Sequence, residues 1–350
     1  MLILLGTSTG SFTSELYFLI LAYFIGGAEN PLPSKMVNLT LLTALAVVYS
    51  TVQGAPTNSD ASELAKRVAA PVRPSAYTKT VFLDNFALKT LDTTKWTYDL
   101  GTSYTGGPAA WGTGEIQTYT KSTNNILITS DSTLRIIPRK ETSGAWTSAR
   151  IETKAASDFA CPAGGRLRIQ ARIKVGATNA AAGTEDGIWP AFWMLGSALR
   201  SNYQSWPGVG EIDIMETMNG AAKAYQVVHC GTAPGGVCNE FNGIGGNSKM
   251  TRGVWHTIQL DIDRKVTKWT DESLTWSIDG VATLQVKPSS LQNNQTAWNS
   301  LAATKKMILL NVAVGGSFPN AIAGSTTPNA KTVGGVNAGM DVDYVVVWST

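Results

Sequence analysis

Arg166-Leu-Arg-Ile-Gln-Ala-Arg-Ile-Lys-Val175 alternates apolar and polar residues without a break. Leu167, Ile169, Ala171, Ile173 and Val175 fall on one side of an extended chain. Arg166, Arg168, Gln170, Arg172 and Lys174 fall on the other. A period of two marks a strand with one buried face, because successive side chains point to opposite sides of a sheet. The pattern returns at 257–263 and at 340–348. Leu274–Ile278 and Val281–Val286 flank Asp279-Gly280, a pair that favours the tight turn of a β-hairpin. Residues 307–314 are almost continuously apolar, as expected of a strand covered on both faces. No capped amphipathic helix longer than about two turns stands out. Many short strands with turn signals between them predict an all-β sandwich or barrel.

Composition narrows the class further. The chain has 350 residues, of which 15% are charged, with 34 glycines, 11 tryptophans and a formal net charge of +3. Intrinsic disorder needs lower hydrophobicity and more charge. A coiled coil would be richer in Ala, Glu, Lys, Leu and Arg. The weak net charge, with no basic run, gives no footprint for nucleic acid. Two histidines and three cysteines leave little material for a zinc site.

The first 67 residues read as processing signals. An apolar run at 17–26 and a second at 37–48 are both shorter than the ~20 residues that span a bilayer. The second follows Lys35-Met36 and ends near Val52-Gln53-Gly54-Ala55, the layout of a signal peptide. Met36 is then the true start, 1–35 an extension, 36–54 the signal peptide and 55–67 a propeptide ending at Lys66-Arg67. The mature domain is expected over 68–350. This predicts a secreted monomer without membrane association. In an oxidising compartment Cys230 and Cys238 suit a local disulfide across a Gly- and Pro-rich turn, leaving Cys161 as a small buried residue. Asn294-Gln295-Thr296 is a glycosylation sequon.

The chemistry concentrates in Gly210-Glu211-Ile212-Asp213-Ile214-Met215-Glu216. On a strand Glu211 and Asp213 share a face, with Ile212 and Ile214 turned to the core. Glu216 is out of phase by one residue. A β-bulge at or beside Met215 would bring it back to the acidic face. Carboxylates crowded on one face repel each other, an arrangement characteristic of functional sites. Two carboxylic acids flanking a bond are the equipment of glycoside hydrolysis. Asp213 between them can push their pKa values apart.

The segment resembles the active-site signature of glycoside hydrolase family 16, in the bulged form of the β-1,3-glucanases (laminarinases). Ser148–Lys154, Gly165-Arg166-Leu167, Asp186–Gly196 with its Trp-Pro-Ala-Phe-Trp, and Val342-Asp343-Tyr344-Val345 also resemble family segments. The likeness covers about 80–350. It implies a β-jelly-roll sandwich of two curved antiparallel sheets with a substrate cleft on the concave face. It also implies retention of anomeric configuration, with Glu211 as nucleophile, Glu216 as acid/base and Asp213 as helper. The implied substrate is a β-1,3-glucan, with mixed-linkage β-glucan also open. No cofactor is required. Members often carry a structural calcium, for which Asp343 is the candidate ligand.

Sugar rings stack on aromatic faces, so Trp189, Trp193 and Trp206 are candidate substrate contacts. Trp206, in a polar loop, is expected to be the most exposed, whereas one of Trp189 and Trp193 also suits the core. His229 is expected on the next strand near the acid/base, and Arg150 within reach of substrate. One departure concerns Trp111-Gly112-Thr113-Gly114-Glu115, where many laminarinases have Trp-Gly-Asn-Asn-Glu. It keeps a β-1,3-galactanase open as an alternative. A cell-wall transglycosylase, in which an acceptor sugar replaces water, and a non-catalytic carbohydrate-binding jelly roll are the others.

Overall fold

A computed structural model describes residues 71–177 and 183–350, all within the unit Ser59–Thr350. The expected extension, signal peptide and propeptide lie outside the described residues. No helix among the described residues is long and apolar enough to cross a membrane.

The strands run in chain order as β1 (Lys79–Asp84), β2 (Trp96–Asp99), β3 (Thr118–Tyr119), β4 (Ile126–Ile128), β5 (Leu134–Ile136), β6 (Arg139–Lys140), β7 (Trp146–Ser148), β8 (Arg150–Thr153), β9 (Arg166–Val175), β10 (Ile188–Gly196), β11 (Glu211–Glu216), β12 (Lys223–His229), β13 (Ile244–Lys249), β14 (His256–Asp263), β15 (Ser273–Ile278), β16 (Val281–Val286), β17 (Lys306–Val314) and β18 (Met340–Ser349). Two short helices, α1 (Gln295–Ala302) and α2 (Ser317–Ala323), flank β17. One antiparallel sheet has the order β16-β15-β14-β9-β18-β5-β4, with β1 also on β18. The other has the order β13-β12-β11-β10-β17-β8-β2 and carries the acidic strand near its middle.

The alternating stretches at 166–175 and 257–263 bury one face as their period demands, whereas the one at 340–348 is covered on both faces, because Tyr344, Val346 and Trp348 on its outer side pack with Tyr77. β9 buries every second residue, from Leu167 to Val175. β17 and β18 are buried along their whole length. The β15–β16 hairpin turns through Asp279 and Gly280, both at positive φ. Leu167, Ile169 and Ile173 of one sheet share a core with Ile188, Phe192, Met194, Ile212, Leu310 and Val312 of the other. Such interdigitation of inner faces defines a sandwich. Cys230 and Cys238 are disulfide-bonded, and Cys161 is free and buried.

Two features set the acidic strand in place. Gly210, just before Glu211, sits at φ +74°, and a Cβ there would come within 2.3 Å of the Ser300 carbonyl of α1. Only glycine satisfies both demands. Between Asp213 and Glu216 the pairing to β12 slips by one residue. On the β10 side Trp193 faces Asp213 and Phe192 faces Met215, so Ile214 is the inserted residue, adjacent to Met215. Trp276, from the opposite sheet, donates its indole N–H to the Asp213 carbonyl at this bulge (3.0 Å).

Candidate active site

The bulge places three acids in successive cross-strand rows. Leu195, Glu211 and His229 form one row; Trp193, Asp213 and Val227 the next; Ala191, Glu216 and Tyr225 the third. Asp213 and Glu216 are buried and Glu211 is half-buried. All the large apolar residues between them are fully buried in the core behind.

Burial dominates the protonation of the cluster, because a desolvated carboxylate favours its neutral form. It raises Asp213 well above the usual carboxylate range, and the charges of Glu216, Glu211 and Glu240 add to this. It pushes Glu216 up to about 7, with Glu211 adding and the Trp189 N–H and His229 pulling back. Glu211 is raised by burial and by Glu240, but His229, Arg150 and a hydrogen bond from Trp206 all favour its charged form. Glu211 is thus the acid with the most support for ionisation, and Asp213 the one with the least.

His229 lies on the next antiparallel strand as expected, directly across from Glu211 and within electrostatic reach of Glu216. The register of the next strand decides this. Its Nδ1 is 2.7 Å from Glu240 Oε2, which fixes a proton there, and its Nε2 is 3.5 Å from Asp213 Oδ2. Burial alone would depress the imidazole pKa. The Glu240 hydrogen bond and the charges of Glu211, Glu240 and Glu216 outweigh it, and the pKa is raised.

Glu240 was not expected at the site. Its other oxygen accepts the Cys230 backbone N–H (2.8 Å), and its carboxylate is fully enclosed. The disulfide brings it to the imidazole from eleven residues away. An acid two residues after the second cysteine of a closed loop was the available signal.

The three tryptophans converge on the acids, and all are half-buried. Trp189 donates to Glu216 Oε1 (2.8 Å). Trp193 donates to Asn311 Oδ1 (2.7 Å), so neither ring belongs to the core between the sheets. Trp206 lies against the His229 ring at 5.7 Å and stacks with Phe241 at 6.1 Å.

Arg150 departs from its expected place at the substrate. It is 4% exposed, ion-paired to Asp99 (3.0 Å) and hydrogen-bonded to the Tyr104 hydroxyl. Its guanidinium lies 4.5 Å from the centroid of Trp111 and 4.9 Å from that of Trp193. A delocalised cation enclosed by aromatic faces and a carboxylate acts through its field and its packing. Asp343 departs too: its buried carboxylate accepts from Arg172 (2.8 Å), so an arginine already answers its charge. Among the described residues, the cluster of three donors close enough to share a cation is Glu211, Asp213 and His229, the acidic site itself. Thr113, in place of the asparagine, turns its hydroxyl onto buried Glu115 (2.9 Å).

A model of an "XgeA-like, catalytic GH16 domain" matches residues 177–268. The crystal structure of an endo-1,3-beta-glucanase from Streptomyces sioyaensis superposes with a TM-score of 0.74 at 42% identity, covering 80% of this chain and 99% of that one. The chain belongs to glycoside hydrolase family 16. Its fold is the family's β-jelly-roll sandwich. A glucan endo-1,3-beta-glucosidase A1 of Niallia circulans is 30% identical over 84% of this family 16 chain, which spans only 41% of that protein's length. A beta-glucanase of Rhodothermus marinus is 29% identical over 68% of this chain and 76% of its own.

Proposed function

We propose that this family 16 domain hydrolyses β-1,3-glucan at internal bonds with retention of configuration, as a secreted monomer. The observation that carries the reading is the bulge at Ile214, which lines up three acids with different protonation tendencies. Glu211, supported by His229 and Arg150, attacks the anomeric carbon as a carboxylate. Glu216 gives its proton to the glycosidic oxygen as that bond breaks. The glycosyl ester on Glu211 is then opened by water, whose proton returns to Glu216. Asp213, kept protonated, holds the negative charge of the cluster down while Glu211 reacts. Trp189, Trp193 and Trp206 stack on the sugar. Asn294, exposed at the N-terminus of α1, is the proposed glycan acceptor.

The names of the relatives support β-1,3-glucan as substrate. Thr113 keeps a β-1,3-galactan as the second reading, because it stands where many laminarinases have an asparagine and its hydroxyl is engaged by Glu115. Incubation with laminarin, lichenan, β-1,3-galactan and chitin, followed by product sizing, separates them. Short oligomers from laminarin support the first reading. Cleavage of galactan alone replaces it with the second.

The pH dependence follows from Glu216. An acid whose pKa is raised to about 7 keeps its proton below that pH and loses it above. We expect kcat/KM to fall by about tenfold per pH unit on the alkaline side of that value. A profile still rising from pH 7 to 9 would assign the proton donor to another group.

A further inference from the structure

Residues 230–243 join β12 to β13, and the disulfide closes most of that loop into a ring. Two consecutive residues at its far end face opposite ways. Glu240 sends a fully enclosed carboxylate inward to His229, whereas Phe241 is 67% exposed. The backbones of Gly235 and Glu240 pair with each other, and Asn242 N–H donates to the Asn239 carbonyl (3.0 Å). Phe241 is therefore a large apolar ring held outward from a pinned loop, and core packing does not explain it.

Its neighbours show what it faces. The Phe241 ring is inclined only 12° to Trp206, at 6.1 Å between centroids. Trp206 lies against His229, and His229 meets Asp213. The aromatic surface thus runs without interruption from the acids to the rim of the site. Beyond the loop, exposed Gly245 on the edge strand β13 continues the cross-strand row of Asp213 and Val227.

We propose that Phe241 forms an additional sugar-binding subsite, taking the C–H face of a neutral β-linked hexopyranose further along the same glycan chain whose scissile bond lies at Glu211 and Glu216. The proposal rests on the glycan-hydrolase reading above and specifies where the chain leaves the acids. A protein partner is a weaker match, because the ring continues the aromatic surface of the site and does not begin a patch of its own.

The test is calorimetric titration of the Glu211→Gln protein, with and without Phe241→Ala, using laminari-oligosaccharides from the disaccharide to the heptasaccharide. Phe241→Ala should weaken binding of the longest oligomers by about tenfold, the equivalent of one lost aromatic contact, and that of the disaccharide by less than about twofold. Phe241→Trp should restore the difference. An equal loss at every length would overturn the subsite and leave Phe241 as a prop for Trp206. No loss at any length would overturn it as well. Failure of the functional reading has a separate signature: wild-type protein that leaves laminarin intact.

Discussion

Glu211→Gln is expected to lower the rate of laminarin hydrolysis by about 10,000-fold or more, the scale seen when a nucleophile is removed from a set that acts as a unit. The substitution keeps the volume and removes the charge that attacks carbon. Gly210 still sets the entry to the strand, and the indole of Trp206 still has an oxygen to donate to. Because Trp189, Trp193 and Trp206 are untouched, the glycan should still bind. Glu216→Gln should behave differently, costing about 100- to 10,000-fold on a glucan. It should cost far less on an aryl glycoside whose leaving group needs no proton. Steady-state kinetics on both substrates separate the roles. A Glu211→Gln enzyme within tenfold of wild type would remove Glu211 from the reaction.

Arg150→Met is expected to destabilise the fold by about 3–5 kcal/mol, a large share of the about 5–15 kcal/mol that holds a typical domain together. The pair it breaks is buried on both sides, with 5% of Arg150 and 4% of the Asp99 side chain exposed. Burial already raises Asp99 to about 6 against the pull of Arg150. Without the guanidinium, Asp99 must take up a proton or remain as an uncompensated buried charge. Three aromatic rings, Tyr104, Trp111 and Trp193, also lose the cation they enclose. A second effect follows at the acids. Arg150 favours the ionised form of Glu211, so its loss should move the acidic limb of the pH profile upward. Arg150→Lys should restore part of the charge effect and little of the packing. Urea unfolding with pH profiles checks both. A loss below about 1 kcal/mol would mean the pair is worth no more than an exposed one.

The strands were legible because burial on one face leaves a period of two, as in Arg166–Val175, and burial on both leaves none, as in Lys306–Val314. The need for a bulge was also legible, since three acids with spacings of two and three cannot share a face otherwise. Which residue is inserted was not, because Ile214 and Met215 are equally apolar and only the register with Phe192 and Trp193 separates them. Arg150 and Asp343 read as available polar groups because their partners lie far off in sequence or across a strand pair. Asp99 comes from β2 and Arg172 from β9. Glu240 was hidden for a related reason: the disulfide predicts a closed loop, and the fold decides what that loop delivers to the site.

The most direct measurement is to trap the covalent intermediate. Incubation with a 2-deoxy-2-fluoro-laminaribiosyl fluoride should slow turnover after the first step, and peptide mapping by mass spectrometry then locates the sugar. The predicted result is a single glycosyl ester on Glu211. An ester on Glu216 or Asp213, or turnover of natural oligosaccharides to a product of inverted anomeric configuration, would contradict it.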